Sequence, residues 1–271
     1  MTPYEVAFHE TLLALGQNNL NNLVIVGGWC PYLYAKYVWQ KQAPEIMTVD
    51  IDFAVKHMTP DRFSEPVYKK LLAAHLVPRR MDLDDDNKFH FAYMAERVMV
   101  PIDFITEPDV LPKGQTSFKR PYVACDAVPE VAIALKPEPV KHTVHYKHKY
   151  LSIQIAAPEG LLLSKALLIE HRLNSSKTPK DLATIAFLMR YSPDRHQLLN
   201  NIVKLKGHSD TKEAGRILKN FVGDERQPGF GMLRDYFSRW NVPKDLIDEQ
   251  IKFTFDPLIS ALVSQKKRSS V

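Results

Sequence analysis

The chain has 271 residues, 45% hydrophobic and 25% charged, with a formal net charge of +5. That content excludes a disordered chain and suits one large domain or two small ones, and no apolar run is long enough to span a membrane. Two cysteines, Cys30 and Cys125, exclude a disulfide scaffold, and the opening residues show no signal-peptide pattern, so a cytoplasmic location is expected.

In chain order, residues 3–16 read as a helix ending at Gly16, followed by turn chemistry in Asn18-Asn19-Leu20-Asn21-Asn22. Leu23-Val24-Ile25-Val26 is a short apolar run that reads as a buried strand. It stops at Gly27-Gly28, and residues 29–39 read as helical after Pro31. Residues 48–55 alternate strictly, with Val49, Ile51, Phe53 and Val55 on one face and Asp50 and Asp52 on the other. A helix is expected over 60–75, and strands over 88–95 and 98–106, the second carrying a lone Asp103. Residues 107–150 read as irregular, except for a His/Lys tract at 141–149 that reads as an exposed basic strand, its alternative being a metal or RNA contact. Leu151–Ile155 reads as a further strand. Helices are expected over 158–173, 179–191, 194–205, 210–221, 229–240 and 243–263.

The change from mixed to helical patterning places a domain boundary near residue 156, giving domains 1–156 and 157–271. The halves differ in charge. Residues 1–155 hold 17 Lys+Arg against 18 Asp+Glu, and residues 156–271 hold 19 against 13. The basic half suits a polyanion such as RNA or, equally, a solvated helical surface.

Asp50 and Asp52, two apart on a strand, project from one face, where two carboxylates repel unless water or a cation separates them. Asp103 sits among apolar neighbours and needs solvent or a charge partner. If its strand lies beside the first, three carboxylates form a patch suited to two Mg²⁺ ions about 4 Å apart, which favours in-line attack at phosphorus. The alternative is a surface strand with outward acids. Gly27-Gly28, between strand and helix, permits close backbone approach by a phosphate. It matches neither the Walker A loop nor Gly-x-Gly-x-x-Gly.

Taken together, Val26-Gly27-Gly28, Val49-Asp50-Ile51-Asp52-Phe53 and Ile102-Asp103-Phe104 resemble the pattern of the DNA polymerase β-like nucleotidyltransferase superfamily. Residues 157–165 (Ala-Pro-Glu-Gly-Leu-Leu-Leu-Ser-Lys) and 177–182 (Lys-Thr-Pro-Lys-Asp-Leu) resemble the lysine and Lys-Asp helices of its AbiEii-type, toxin-like members. The resemblance covers about residues 20–190. The 21 residues between Gly28 and Asp50 exceed the minimal family spacing, so 39–47 reads as an insertion.

The resemblance implies an α+β fold: a nucleotidyltransferase-like mixed β-sheet with flanking helices, then an all-α C-terminal domain, with the nucleotide in the cleft between them. It implies Mg²⁺-dependent transfer of an NMP from an NTP to an acceptor hydroxyl. Asp50 and Asp52 would ligate Mg²⁺, and Asp103 would ligate it beside the attacking group or act as a base. Gly27 and Gly28 would admit the triphosphate. Lys165 would clamp phosphate charge, its alternative being a helix-surface lysine. Lys180 and Asp181 would orient the nucleotide or bridge the two domains, their alternative being a helix N-terminal charge pair. The implied partners are the NTP, an RNA (tRNA), protein or small-molecule acceptor, and a cognate antitoxin in a toxin–antitoxin or phage-defence system, with no membrane. Two other readings stay open: a degenerate nucleotide-binding module, and a small-molecule nucleotidyltransferase of the antibiotic-modifying kind.

Three local signals are read as structural. The acidic run 82–87 lacks the Gly and distal Glu of a calcium loop and reads as a turn. Cys30 and Cys125 have no CxxC partner for zinc. Trp29 is expected in the core rather than stacked on a base.

Overall fold

The computed structural model describes residues 1–41, 50–55, 67–80, 89–95, 98–108, 117–119, 124–173, 175–205 and 209–263. The acidic run 82–87, the N-terminal end of the expected strand at 48–49, most of the 39–47 insertion and the start of the 60–75 helix lie outside them. The described residues fall into two compact units. One comprises Met1–Gln40 with the described part of Met47–Ala157, and the other Lys41 with the described part of Pro158–Val271.

The first unit opens with α1 (Pro3–Leu20). Thr2 caps it in a reciprocal box with Glu5, and Pro3 fills a first-turn position that needs no donor. The regular helix breaks at Gly16 (φ 70°, ψ 161°), as the sequence predicts, and a further helical turn follows to Leu20. A long-range contact explains the continuation. The Gln17 side chain donates to the Ser152 carbonyl at 3.0 Å and accepts from its N–H at 2.8 Å, standing in for a neighbouring strand.

β1 (Leu23–Val26) is buried throughout, as its apolar run predicts. It leads through Gly27-Gly28 into α2 (Trp29–Leu33) and a π-helical turn (Tyr34–Val38). Then follow β2 (Ile51–Val55), α3 (Val67–Ala73), β3 (Val77–Arg80), β4 (Phe89–Ala95) and β5 (Val98–Thr106). The segment expected to be irregular holds β6 (Ser117–Lys119), β7 (Ala124–Ala127) and α4 (Val131–Leu135); β8 (Val140–Tyr146) falls on the tract expected as a strand, with Val144 buried, and β9 (Lys149–Ile155) completes the sheet. The missed elements β3, β6, β7 and α4 span three to five residues each, too few to display a period.

The sheet order is β3-β4-β5-β2-β1-β9-β8, and β7 pairs with both β5 and β6. β1 runs antiparallel to β2, and β2 parallel to β5. β5 changes neighbour along its length. It pairs with β4 through Ile102 and with β7 from Ile105, so Asp103 lies at the change.

The second unit is helical: α5 (Pro158–His171), α6 (Thr178–Tyr191), α7 (Arg195–Lys204), α8 (Ser209–Val222), α9 (Pro228–Arg239) and α10 (Ile247–Val263). α6 is buried from Asp181 to Met189, as expected of a helix with neighbours on every side. Phe230, Leu233, Phe237, Phe255 and Leu258 fill the surrounding core. Among the described residues, no helix is long and apolar enough to cross a membrane. The fold class is therefore α+β: a mixed sheet with flanking helices followed by a helical region.

Candidate functional site

Alternation dictates the placement of the acids. On β2, Ile51, Phe53 and Val55 are buried and Asp52 is half-buried. On β5, Ile102 and Phe104 are buried and Asp103 is half-buried. The parallel register sets Ile51 beside Ile102, Asp52 beside Asp103 and Phe53 beside Phe104. The phenylalanine rings accordingly stack, with centroids 5.7 Å apart. Register partners share a face, so Asp52 and Asp103 emerge side by side opposite the phenylalanines, on strands about 4.8 Å apart.

On the other side of β2, Val26 of β1 is the register partner of Asp52. The next residue, Gly27, has φ 74°, and a Cβ built on it would stand 2.0 Å from Asp52 Oδ2. Gly27 therefore meets two demands that only glycine satisfies: a left-handed backbone and a carboxylate packed against its Cα. Gly28 has φ −73°, a conformation open to any residue. Asp50 lies one residue before β2 and is half-buried.

The helix after the glycines is held firmly. Trp29 is buried, with its ring stacked on Phe8 of α1 at 4.8 Å. Tyr34 donates to the Ala156 carbonyl at 2.6 Å. Tyr32 and Lys36 both donate to Glu5 of α1. Burial pushes the Glu5 carboxyl up, but the hydrogen bonds from Lys36, Tyr32 and the Thr2 backbone outweigh it and hold the group at about 2 instead of its ordinary 4.5. A depressed carboxylate stabilises the fold above its unfolded pKa and loses that contribution as pH falls through the folded value. The stability gap between wild type and Glu5→Gln is thus expected to be full above pH 4.5 and to close toward pH 2. Urea unfolding at fixed pH steps measures it, and a gap that persists to pH 2 would contradict this clamp.

Asp126, in β7, is the register partner of Ile105. It therefore falls on the face of Asp103, one pleat repeat further along. Sequence reasoning missed it. The only signal was a single acid following the buried Cys125, whose thiol burial pushes up, with Asp126 beside it adding to the effect.

Lys165 and Asp181 meet within the helical unit. Asp181, in the first turn of α6, is only 2% exposed. Its Oδ1 accepts from Lys165 Nζ at 2.7 Å and its Oδ2 from Arg172 at 3.0 Å. The carboxylate thus ties α6 to α5 with both oxygens charge-paired, and the acidic end suits the helix dipole. Lys180, next to it, is exposed. Arg172 went unnoticed in the sequence, where nothing separates it from other surface arginines.

Among the described residues, no three His, Cys, Asp or Glu side chains gather into a ready-made metal cage. Mg²⁺ does not require one, since it is usually held by one or two carboxylates with substrate phosphates and water completing the shell. The in-register pair Asp52 and Asp103 is such a donor set. At Gly27 the space that a Cβ would take is filled by the Asp52 carboxylate, which is thereby held against the end of β1.

A family model described as nucleotidyltransferase matches residues 7–204. No curated protein matches the chain in sequence. Among solved structures, it is similar to an antigenic nucleotidyltransferase-like protein from Paracoccidioides brasiliensis, with 16% identity, 78% of this chain and 91% of that one covered, and a TM-score of 0.41. It is also similar to JHP933 from Helicobacter pylori, with 10% identity, 96% and 91% covered and a TM-score of 0.44. A candidate nucleotidyltransferase from the same bacterium matches at 10% identity, with 95% and 96% covered and a TM-score of 0.41.

Proposed function

Because the chain belongs to this nucleotidyltransferase family, we propose that it moves an NMP from an NTP to an acceptor hydroxyl with Mg²⁺, using Asp52 and Asp103 as the paired carboxylates. The observation that carries the reading is the adjacency of Asp52 on β2, Asp103 on β5 and Gly27 in the turn that follows β1. The acceptor oxygen attacks the α-phosphorus, its bond to the bridging oxygen breaks, and pyrophosphate leaves. Mg²⁺, when bound, neutralises charge growing on the attacking and leaving oxygens. Asp52 and Asp103 hold the cation, and Asp50, at the head of β2, adds a carboxylate to the same end of the strand. Asp103 either ligates the cation beside the attacking oxygen, with the acceptor proton passing to water, or takes that proton itself. Gly27 keeps the backbone low enough for the triphosphate.

The finer reading is a toxin-like enzyme with a cognate antitoxin, acting on tRNA or protein in the cytoplasm. It is supported by the likeness of residues 157–165 and 177–182 to AbiEii-type helices. Incubating the purified chain with each α-labelled NTP, Mg²⁺, total RNA and protein tests the activity. Label moving to a macromolecule with release of pyrophosphate is expected. Absence of transfer from every NTP would contradict it and favour the nucleotide-binding module, and label on a small molecule would favour the antibiotic-type enzyme.

Lys165 has two roles to separate. As a triphosphate clamp, assisted by Lys180, its loss would raise the NTP requirement at unchanged melting temperature. As the partner of Asp181, its loss would lower the melting temperature at unchanged NTP dependence. The 2.7 Å ion pair favours the second. Lys165→Ala is expected to cost about 1.5–3 kcal/mol of stability, as for a hydrogen bond to a charged group, and Lys165→Arg less. An NTP titration beside a thermal melt decides between them.

A further inference from the structure

The β8–β9 hairpin carries a surface that the transfer chemistry leaves unused. Between Glu138 and Glu159 the chain holds Lys141, His142, His145, Lys147, His148 and Lys149 and no acid. β8 ends the order of the sheet. The register sets Lys141 opposite Gln154, Thr143 opposite Ser152 and His145 opposite Tyr150, so Lys141, His145 and Tyr150 share a face. Tyr150 is 73% exposed. Its ring stacks on the His145 imidazole, with centroids 4.6 Å and planes 25° apart.

The turn joining the strands is Lys147-His148, both at positive φ (44° and 61°). Two-residue turns of this kind ordinarily use Asn-Gly or Gly-Gly, because side chains there are strained. Here the strain is retained, and it sets a lysine and a histidine at the tip. Glu10 pairs with Lys147 and accepts from Tyr146 at 2.8 Å, steadying the base of the tip. Lys141, His148 and Lys149 are exposed.

We propose that this hairpin is a docking platform for single-stranded RNA. The exposed lysines and the tip meet phosphates, and an unpaired base stacks on the open face of Tyr150. Lysines alone would serve an acidic protein or an anionic lipid surface equally well. The exposed Tyr–His stack is what favours a strand with free bases. In the transfer reading this strand is the acceptor, but binding is measured without NTP or Mg²⁺, so it stands or fails apart from that reading.

The test is fluorescence anisotropy of the full chain with a labelled, short, mixed-sequence single-stranded RNA across a salt series. Tyr150→Ala is expected to weaken binding about tenfold, and Tyr150→Phe to retain it, as for loss and preservation of one stacked base. Lys141→Gln, on the face of Tyr150, is expected to flatten the plot of log affinity against log salt by about 0.7. Lys252→Gln, on α10, should change neither. Wild-type affinity and slope in both Tyr150→Ala and Lys141→Gln would overturn the proposal. So would tighter binding of wild type to the matching duplex or to anionic vesicles.

Discussion

Gly27→Ala is expected to cut nucleotidyl transfer by about a hundredfold or more. The added Cβ would stand 2.0 Å from Asp52 Oδ2, where ordinary contact begins near 3.4 Å. Either the carboxylate or the β1 end must shift by more than about 1 Å, and misplacement on that scale costs about 10²-fold in rate. The backbone adds its own cost, since φ 74° is unfavourable by about 1–2 kcal/mol for a residue with a Cβ. Gly28→Ala, at φ −73°, meets no such backbone cost and is expected to be far milder. Single-turnover label transfer, compared with a thermal melt of each variant, measures both effects. A Gly27→Ala protein as active as wild type would show that the Asp52 carboxylate need not sit where this structure holds it.

Asp181→Ala is expected to destabilise the helical unit by about 3 kcal/mol. Removing one partner of a buried ion pair costs about 3–5 kcal/mol, because the remaining charge stays desolvated. The lower end applies here. The Lys165 side chain is 12% exposed and would be left buried, while Arg172, at 29%, can turn toward water. Asp181→Asn retains hydrogen-bonding capacity without the charge and should fall between. Replacing Lys165 and Asp181 together by leucines should recover much of the loss, since a buried pair exchanged for apolar groups is often nearly neutral. Urea unfolding followed by far-ultraviolet circular dichroism gives these differences. Wild-type stability in Asp181→Ala would mean that the triad of charges does not hold α5 to α6.

Why some of this was legible in the sequence and some not follows from the range of the interactions. The strict alternation at 51–55 and the lone acid at 103 fix which face each side chain takes, because a strand's period of two leaves no choice. The apolar run 23–26 and the following glycines located the turn. Which strands are neighbours is a long-range fact, so the register of Asp52 with Asp103 and the closeness of Gly27 to Asp52 needed the structure. The α1 helix runs past Gly16 because Gln17 finds the backbone of Ser152, 135 positions away, a contact that no local propensity reports. Asp126 was missed because β7 is four residues long and its pairing with Ile105 cannot be read locally. From the sequence Asp181 reads as a residue that orients the nucleotide or, alternatively, as half of a helix N-terminal charge pair. Its partners Lys165 and Arg172, 16 and 9 positions away, are brought to it by the packing of two helices.

The central claim is that Asp52 and Asp103 act as a pair in Mg²⁺-dependent transfer. Pyrophosphate release with the preferred NTP and acceptor, titrated with Mg²⁺, tests it on wild type, Asp52→Asn and Asp103→Asn. Each variant keeps the size of its side chain and is expected to melt near the wild-type temperature. A metal contact supplies several kcal/mol of transition-state stabilisation, so each variant should lose about a hundredfold to a thousandfold in rate. The double variant should lose little more than either single one, since residues that act as a unit are not additive. Wild-type rates and Mg²⁺ dependence in either folded single variant would contradict the claim.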